Sequence, residues 1–212
     1  MRSMMAASSS GSSSFLDFAM PEPWGPLPFP TRGDDDDGLT HEGVGRVMSA
    51  WEAIEFELSR TYSIFHGEPD GPGIQVYGTG RIFQERLRLL RVAADRHFCR
   101  YPNQPLEGAF DRLGEALAWY ADRRNEVAHG FVFAIHNMTY FMRRFGLRTG
   151  GKPQFLLIPP LYTVRNHTDG LPDYAYAYTD LLLLRDRIHY LLGEIMQYRS
   201  NLLDSIERQA QP

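Results

Sequence analysis

The run Arg124-Asn125-Glu126-Val127-Ala128-His129 places a fixed cation, an amide and an imidazole within less than two turns of helix. A guanidinium stays charged near neutral pH and presents a planar fork of N–H donors that suits phosphate or carboxylate oxygens. An imidazole titrates near neutrality and can take or give a proton. A group that holds an anion beside a group that moves a proton is the minimum equipment for acid–base group transfer. Bare spacing is not specific, because an Arg followed four to six residues later by a His also occurs at Arg60/His66 and Arg91/His97.

The helix that carries the run follows the start signal Asn103-Gln104-Pro105, with Leu106, Phe110, Leu113, Leu117 and Tyr120 in helical rhythm, and is expected to end at Gly130 in a positive-φ cap. Arg124 lies seven positions beyond Leu117, within about 20° of the apolar stripe. A cation there needs either a carboxylate to answer it or a polar cleft that opens at that point. Asn125 and His129 are four apart and share a face, whereas Arg124 and His129 diverge by roughly 140°. To work together they need a curled Arg stem, a deformed last turn, or a second copy across a two-fold axis. The plainer alternative is that His129 and the arginines complement the carbonyl end of the helix. Glu126 reads as a surface acid.

Three further helices are predicted. Val44, Val47, Trp51, Ile54, Leu58 and Phe65 step by three and four over Leu39 to Phe65. Phe83, Leu87, Leu90, Ala94 and Phe98 mark a second helix over Arg81 to Phe98, and the six Arg against two acids of residues 81–100 fit a solvated face or an RNA-binding one. Leu181, Leu184, Ile188, Leu191, Ile195, Tyr198, Leu202 and Ile206 mark a long last helix that Thr179 or Asp180 can cap, about 40–45 Å long. Glu68 to Gly80 reads as a Gly/Pro loop with a short strand at Ile74 to Tyr77, its Gly-x-Gly pieces lacking the rest of a phosphate loop. Phe131 to Ile135, Tyr140 to Phe145, Phe155 to Ile158 and Tyr174 to Tyr178 read as a small antiparallel meander. The expected fold is mainly α: an up-and-down four-helix bundle with a β insertion at 131–178 before the last helix.

The chain of 212 residues suits one domain. Residues 1–38 pass through Ser-rich, Pro-rich and Asp-rich stretches and read as a disordered tail, with Met4, Met5 or Met20 as possible alternative starts; 39–212 form the domain. The tail carries the whole net charge of −4, so the body is balanced and whole-chain charge gives no nucleic-acid footprint. Cys99 is the single cysteine, which excludes an intramolecular disulfide and favours a reducing compartment. No export signal and no membrane-length apolar run is evident, so the expected location is the cytoplasm, with no membrane association. The remaining histidines show no ligand spacing, and neither a metal nor a cofactor is expected.

The phrase Arg-Asn-Glu-Val-Ala-His-Gly at the end of the third helix resembles the signature of the HEPN superfamily (higher eukaryotes and prokaryotes nucleotide-binding): an Arg, a polar residue, and a His after four to six positions. Arg124, Asn125 and His129 occupy those places. The resemblance covers the motif closely and the helices in outline, and the aromatic insertion lies outside the family pattern. It implies an all-helical bundle that dimerises with two motif helices facing one cleft. Many members are metal-independent ribonucleases of toxin–antitoxin, antiviral or abortive-infection systems, and others are non-catalytic binding modules. In the enzymatic reading His129 is general base or acid at the RNA 2′-hydroxyl or leaving oxygen, Arg124 stabilises phosphoryl charge, and Asn125 orients either one. The expected partners are a second copy of the chain, RNA or a nucleotide, and an antitoxin or other protein.

Arg143, Arg144, Arg148 and Lys152, interleaved with Tyr140, Phe141 and Phe145 and free of acids, are candidate RNA-backbone contacts. Tyr174, Tyr176 and Tyr178 line one face and fit packing against the helices or a twin subunit better than a base-stacking platform. A purely structural bundle, with Arg124 paired to a core carboxylate, is the third reading.

Overall fold

The computed structural model describes residues 30–69, 71–135, 152–160 and 174–210, together with 139, 142, 143, 146, 167, 168, 171 and 172. It is mainly helical with little sheet. Among the described residues the helices are α1 (Asp37–Phe65), α2 (Gly73–Tyr77), α3 (Phe83–Arg100), α4 (Gln104–His129) and α5 (Tyr178–Ala210). Strands β1 (Phe131–Ala134) and β2 (Phe155–Ile158) pair antiparallel between α4 and α5, with Phe131 opposite Ile158. The two-residue strands β3 (His167–Thr168) and β4 (Leu171–Pro172) form a separate ladder.

The predicted stripes form the core. Val47, Trp51, Ile54 and Leu58 of α1 face Leu181, Leu184, Ile188 and Leu191 of α5, and this is the most extensive helix pair. Leu87 and Leu90 of α3 and Leu113, Leu117 and Tyr120 of α4 complete the same cluster. Asp36 caps α1 by accepting from the Gly38 N–H at 2.8 Å. Asn103 caps α4 through the Leu106 N–H and donates to the Ser205 hydroxyl of α5 at 3.0 Å. The 33 residues of α5 make it about 50 Å long, a turn or more beyond the expected length.

Six expectations are corrected. The helices do not alternate up and down: Trp51 meets Phe83 at the start of α3 and Phe65 meets Phe98 near its end, while Gly43 lies against Leu181 and Arg199 reaches Glu57, so α1, α3 and α5 run parallel and α4 alone runs against them. Ile74 to Tyr77 is a helical turn, because Tyr77 is buried by turning onto α1, where its hydroxyl meets Glu55. Of Tyr140 to Phe145 only Met142 and Arg143 are described, and both are helical; the other four lie outside the described residues. Tyr174 to Tyr178 is not a full strand: Tyr176 makes one bridge to Leu157 and Tyr178 already begins α5, with the Asp180 carboxylate accepting from the Ala177 N–H. Gly130 is extended (φ −68°, ψ 168°), so positive φ is not why glycine stands there. A Cβ at that position would lie 2.8 Å from the Ile158 carbonyl and 2.9 Å from that of Glu126, so it is the close crossing of backbones that demands glycine. Finally, order begins before residue 39. Asp34 bridges Phe155, and its carboxylate accepts from the Thr40 hydroxyl (2.7 Å) and the Tyr178 N–H (2.8 Å), tying the start of α1 to β2 and α5. No described helix is long and apolar enough to cross a membrane.

Candidate functional site

The carboxylate that the position of Arg124 demands is Glu55. Glu55 stands four residues after Trp51 on α1, at the edge of the buried stripe, with its side chain only 10% exposed. Its Oε1 accepts from an Arg86 guanidinium nitrogen at 2.8 Å and from Trp51 Nε1 at 3.2 Å, and its Oε2 accepts from the Tyr77 hydroxyl at 2.7 Å. Arg124 reaches the same Oε1 only at 3.8 Å, an ion-pair distance beyond hydrogen bonding. Its guanidinium lies over the Trp51 ring, 5.0 Å from the centroid, and its Nε is buried without a partner. Trp51 is wedged edge-on against Phe83, so the surface under Arg124 is fixed by packing.

The electrostatics follow from this crowding. Burial lowers the pKa of Arg124, Glu55 and the more distant Glu52 oppose that shift, and neighbouring Arg86 adds to it. Burial, with the Glu55 charge next, raises the Tyr77 hydroxyl far above its ordinary range, so it is a pure hydrogen-bond donor to Glu55. One carboxylate thus serves two guanidiniums, and Arg86 has the better claim. Arg124 is a held cation whose hydrogen-bonding capacity is not used up by Glu55.

Asn125 and His129 lie elsewhere. Both are exposed on the outer face of α4, while Arg124 turns inward to α1. The fold therefore brings together Asn125 and His129 on one face, and Arg124 with Glu55, Arg86 and Trp51, but does not join these two groups within one chain. Glu126 is not the surface acid expected. It accepts from Arg123 at 2.9 Å and from the Tyr176 hydroxyl at 2.8 Å, while the Arg123 guanidinium sits 5.1 Å from the Tyr174 ring centroid. Burial works against the charge of Arg123, but Tyr176 and Glu126 raise its pKa overall. This cluster clamps the last turns of α4 to the segment before α5, and it explains why Tyr174 and Tyr176 are buried rather than offered for base stacking.

Among the candidate RNA contacts, Arg143 and Lys152 are exposed, and Arg144 and Arg148 lie outside the described residues. Sequence reading missed Glu55, Arg86 and Tyr77. The signal for Glu55 was present: an acid at i+4 from Trp51 and three before Leu58 falls on a stripe that should be apolar, the same anomaly that singled out Arg124. Tyr77 had no such signal, since five helical residues are too few to show a period. No protein-family model matches this chain, and no curated protein or solved structure matches it either.

Proposed function

We propose that this chain is a HEPN-like four-helix bundle that works as a homodimer and cleaves RNA without a metal. The observation that carries the proposal is Arg124: a guanidinium held over Trp51, 3.8 Å from a carboxylate already engaged by Arg86, Trp51 and Tyr77. An arginine fixed by its stacking and left with free donors is suited to bind a phosphoryl group. The exposed Asn125 and His129 on the same two turns supply the amide and the proton carrier. A twin chain supplies the missing alignment, by presenting its own α4 outer face to the Arg124 end of the first. Trp119, 43% exposed and within about 80° of His129 around α4, gives that outer face an apolar contact. In the reaction the 2′-oxygen attacks phosphorus, His129 takes or delivers a proton, Arg124 stabilises the phosphoryl oxygens, and a 2′,3′-cyclic phosphate and a 5′-hydroxyl result. Such a nuclease fits a defence or toxin–antitoxin setting.

The second reading, a catalytically silent module that binds a nucleotide, RNA or a protein, is favoured by the separation of Arg124 from His129 within one chain. RNA cleavage in EDTA by the wild type and by His129→Ala, with product ends identified and the oligomeric state measured by sedimentation, decides between them. The nuclease reading expects a dimer, cyclic-phosphate ends and a loss of about 100-fold or more in the variant. Activity that survives the substitution removes His129 from the mechanism; inactivity on several RNAs leaves the binding module.

A further inference from the structure

A cleft of about 560 Å³ opens where the C-terminal turns of α1, α3 and α5 converge. This is the end of the molecule at which α4 begins, so it is distant in the fold from the Arg124–His129 turns. Its walls include His66, Arg96, His97, Arg100, Tyr101 and Gln209, and no acidic residue lines it among the described residues. Its volume falls within the range of small-molecule sites.

Arg96 and Arg100 are one turn apart on α3, both exposed, and neither has an ion pair or a side-chain hydrogen bond among the described residues. The Arg100 guanidinium sits 5.2 Å from the Tyr101 ring centroid, which orients it without using its outward donors. The carbonyl ends of the helices favour cations and account for part of this charge. They do not account for two unpaired guanidiniums beside a walled cavity. Flat rings stand beside them: His97, on the same helix and only 8% exposed, packs its ring against Phe65, Phe98 and Tyr101, and from the end of α1 the exposed His66 ring leans on Tyr62. Paired guanidiniums bind phosphate, flat rings stack on a base, and the Gln209 amide can donate to and accept from a base edge.

From this arrangement we propose that the cleft is a second site, separate from the candidate catalytic one, which takes a nucleoside phosphate. The phosphate lies on Arg96 and Arg100, the latter braced on Tyr101, and the base lies against the exposed His66 ring. The proposal does not depend on the ribonuclease reading, and it assigns a ligand to the Arg-rich helix face without invoking Arg124.

Calorimetric titration of the full-length protein with the four ribonucleoside 5′-monophosphates, adenosine and inorganic phosphate tests it. A 5′-phosphorylated and a 5′-hydroxyl RNA oligonucleotide extend the series. The expected result is saturable binding of at least one monophosphate, ten-fold or more weaker for adenosine and for phosphate alone, and weakened ten-fold or more by Arg96→Gln/Arg100→Gln. Because both arginines are exposed and unpaired, the double variant should keep the wild-type melting temperature and circular dichroism. His129→Ala should bind as the wild type does, which separates this site from the other. If the 5′-phosphorylated oligonucleotide binds tighter than the mononucleotide, the natural source of the group is an RNA end; if weaker, it is the free nucleotide. Three results overturn the proposal: no binding of any phosphorylated nucleoside, binding indifferent to the phosphate, or binding unchanged in the double variant.

Discussion

Glu55→Ala should be among the most destabilising single substitutions in this protein. Glu55 accepts hydrogen bonds from Arg86, Trp51 and Tyr77, and its removal leaves two part-buried guanidiniums facing each other across an empty acceptor position. Stripping one partner from a buried ion pair costs about 3–5 kcal/mol; the part exposure of Arg86, at 23%, argues for the lower end, about 3 kcal/mol. At roughly 2–4 °C per kcal/mol for a chain of this length, melting should fall by about 6–12 °C. Glu55→Gln keeps an acceptor for Arg86 and lets the Tyr77 hydroxyl turn to accept, so it should lose about half as much. The functional question lies in the couplings. A double-mutant cycle with urea denaturation should give about 1.5–3 kcal/mol between Glu55 and Arg86, the worth of a charged hydrogen bond, and less than about 1 kcal/mol between Glu55 and Arg124. An Arg124 coupling equal to that of Arg86 would refute the reasoning, because Arg124 would then be a structural partner of Glu55 with nothing to spare for an anion.

Two further outcomes are expected. Burial lowers the pKa of His97, so the unfolded chain protonates first as pH falls through about 6.5; the wild type should lose stability from pH 7.5 to 5.5, and His97→Phe, which keeps an aromatic ring beside Phe65 and Phe98, should lose less, as read by urea midpoints at both pH values. Gly130→Ala should cost about 1–3 kcal/mol in thermal or urea unfolding, because its Cβ meets two carbonyl oxygens of the backbone that cannot swing aside.

The long helices were legible because each carries an uninterrupted stripe, and a stripe must be buried whatever its neighbours do. The misplaced cation Arg124 was legible for the same reason. Glu55 carried the same signal, but which groups would meet around it was not legible, because they come from three other helices and one of them, α2, is shorter than the periodicity that reveals a helix. The aromatic runs after Gly130 misled in a different way. Phe, Tyr and branched residues signal burial as readily as they signal strands, so Tyr174 and Tyr176, which pack beside Arg123 and Glu126, were indistinguishable from a last strand of the meander. The aspartate run misled by averaging. Its composition is that of a solvated tail, and composition cannot show that Asp34 has three fixed partners while Asp37 is exposed.

Those Asp34 contacts also bear on how the protein keeps to itself. A two-stranded sheet has a second edge along β2, a row of backbone donors and acceptors that would template any passing extended chain. Asp34 pairs with Phe155 at one point of β2 and Tyr176 with Leu157 two residues on, so the row is occupied by two single-residue straps rather than by a third strand. Removing residues 30–36, as a truncation trimmed to the start of α1 would do, strips one strap and uncaps the helix at the same time. Such a shortened protein should be prone to self-association through β2, and any clumping it shows would report an uncovered sheet edge rather than the dimer proposed above.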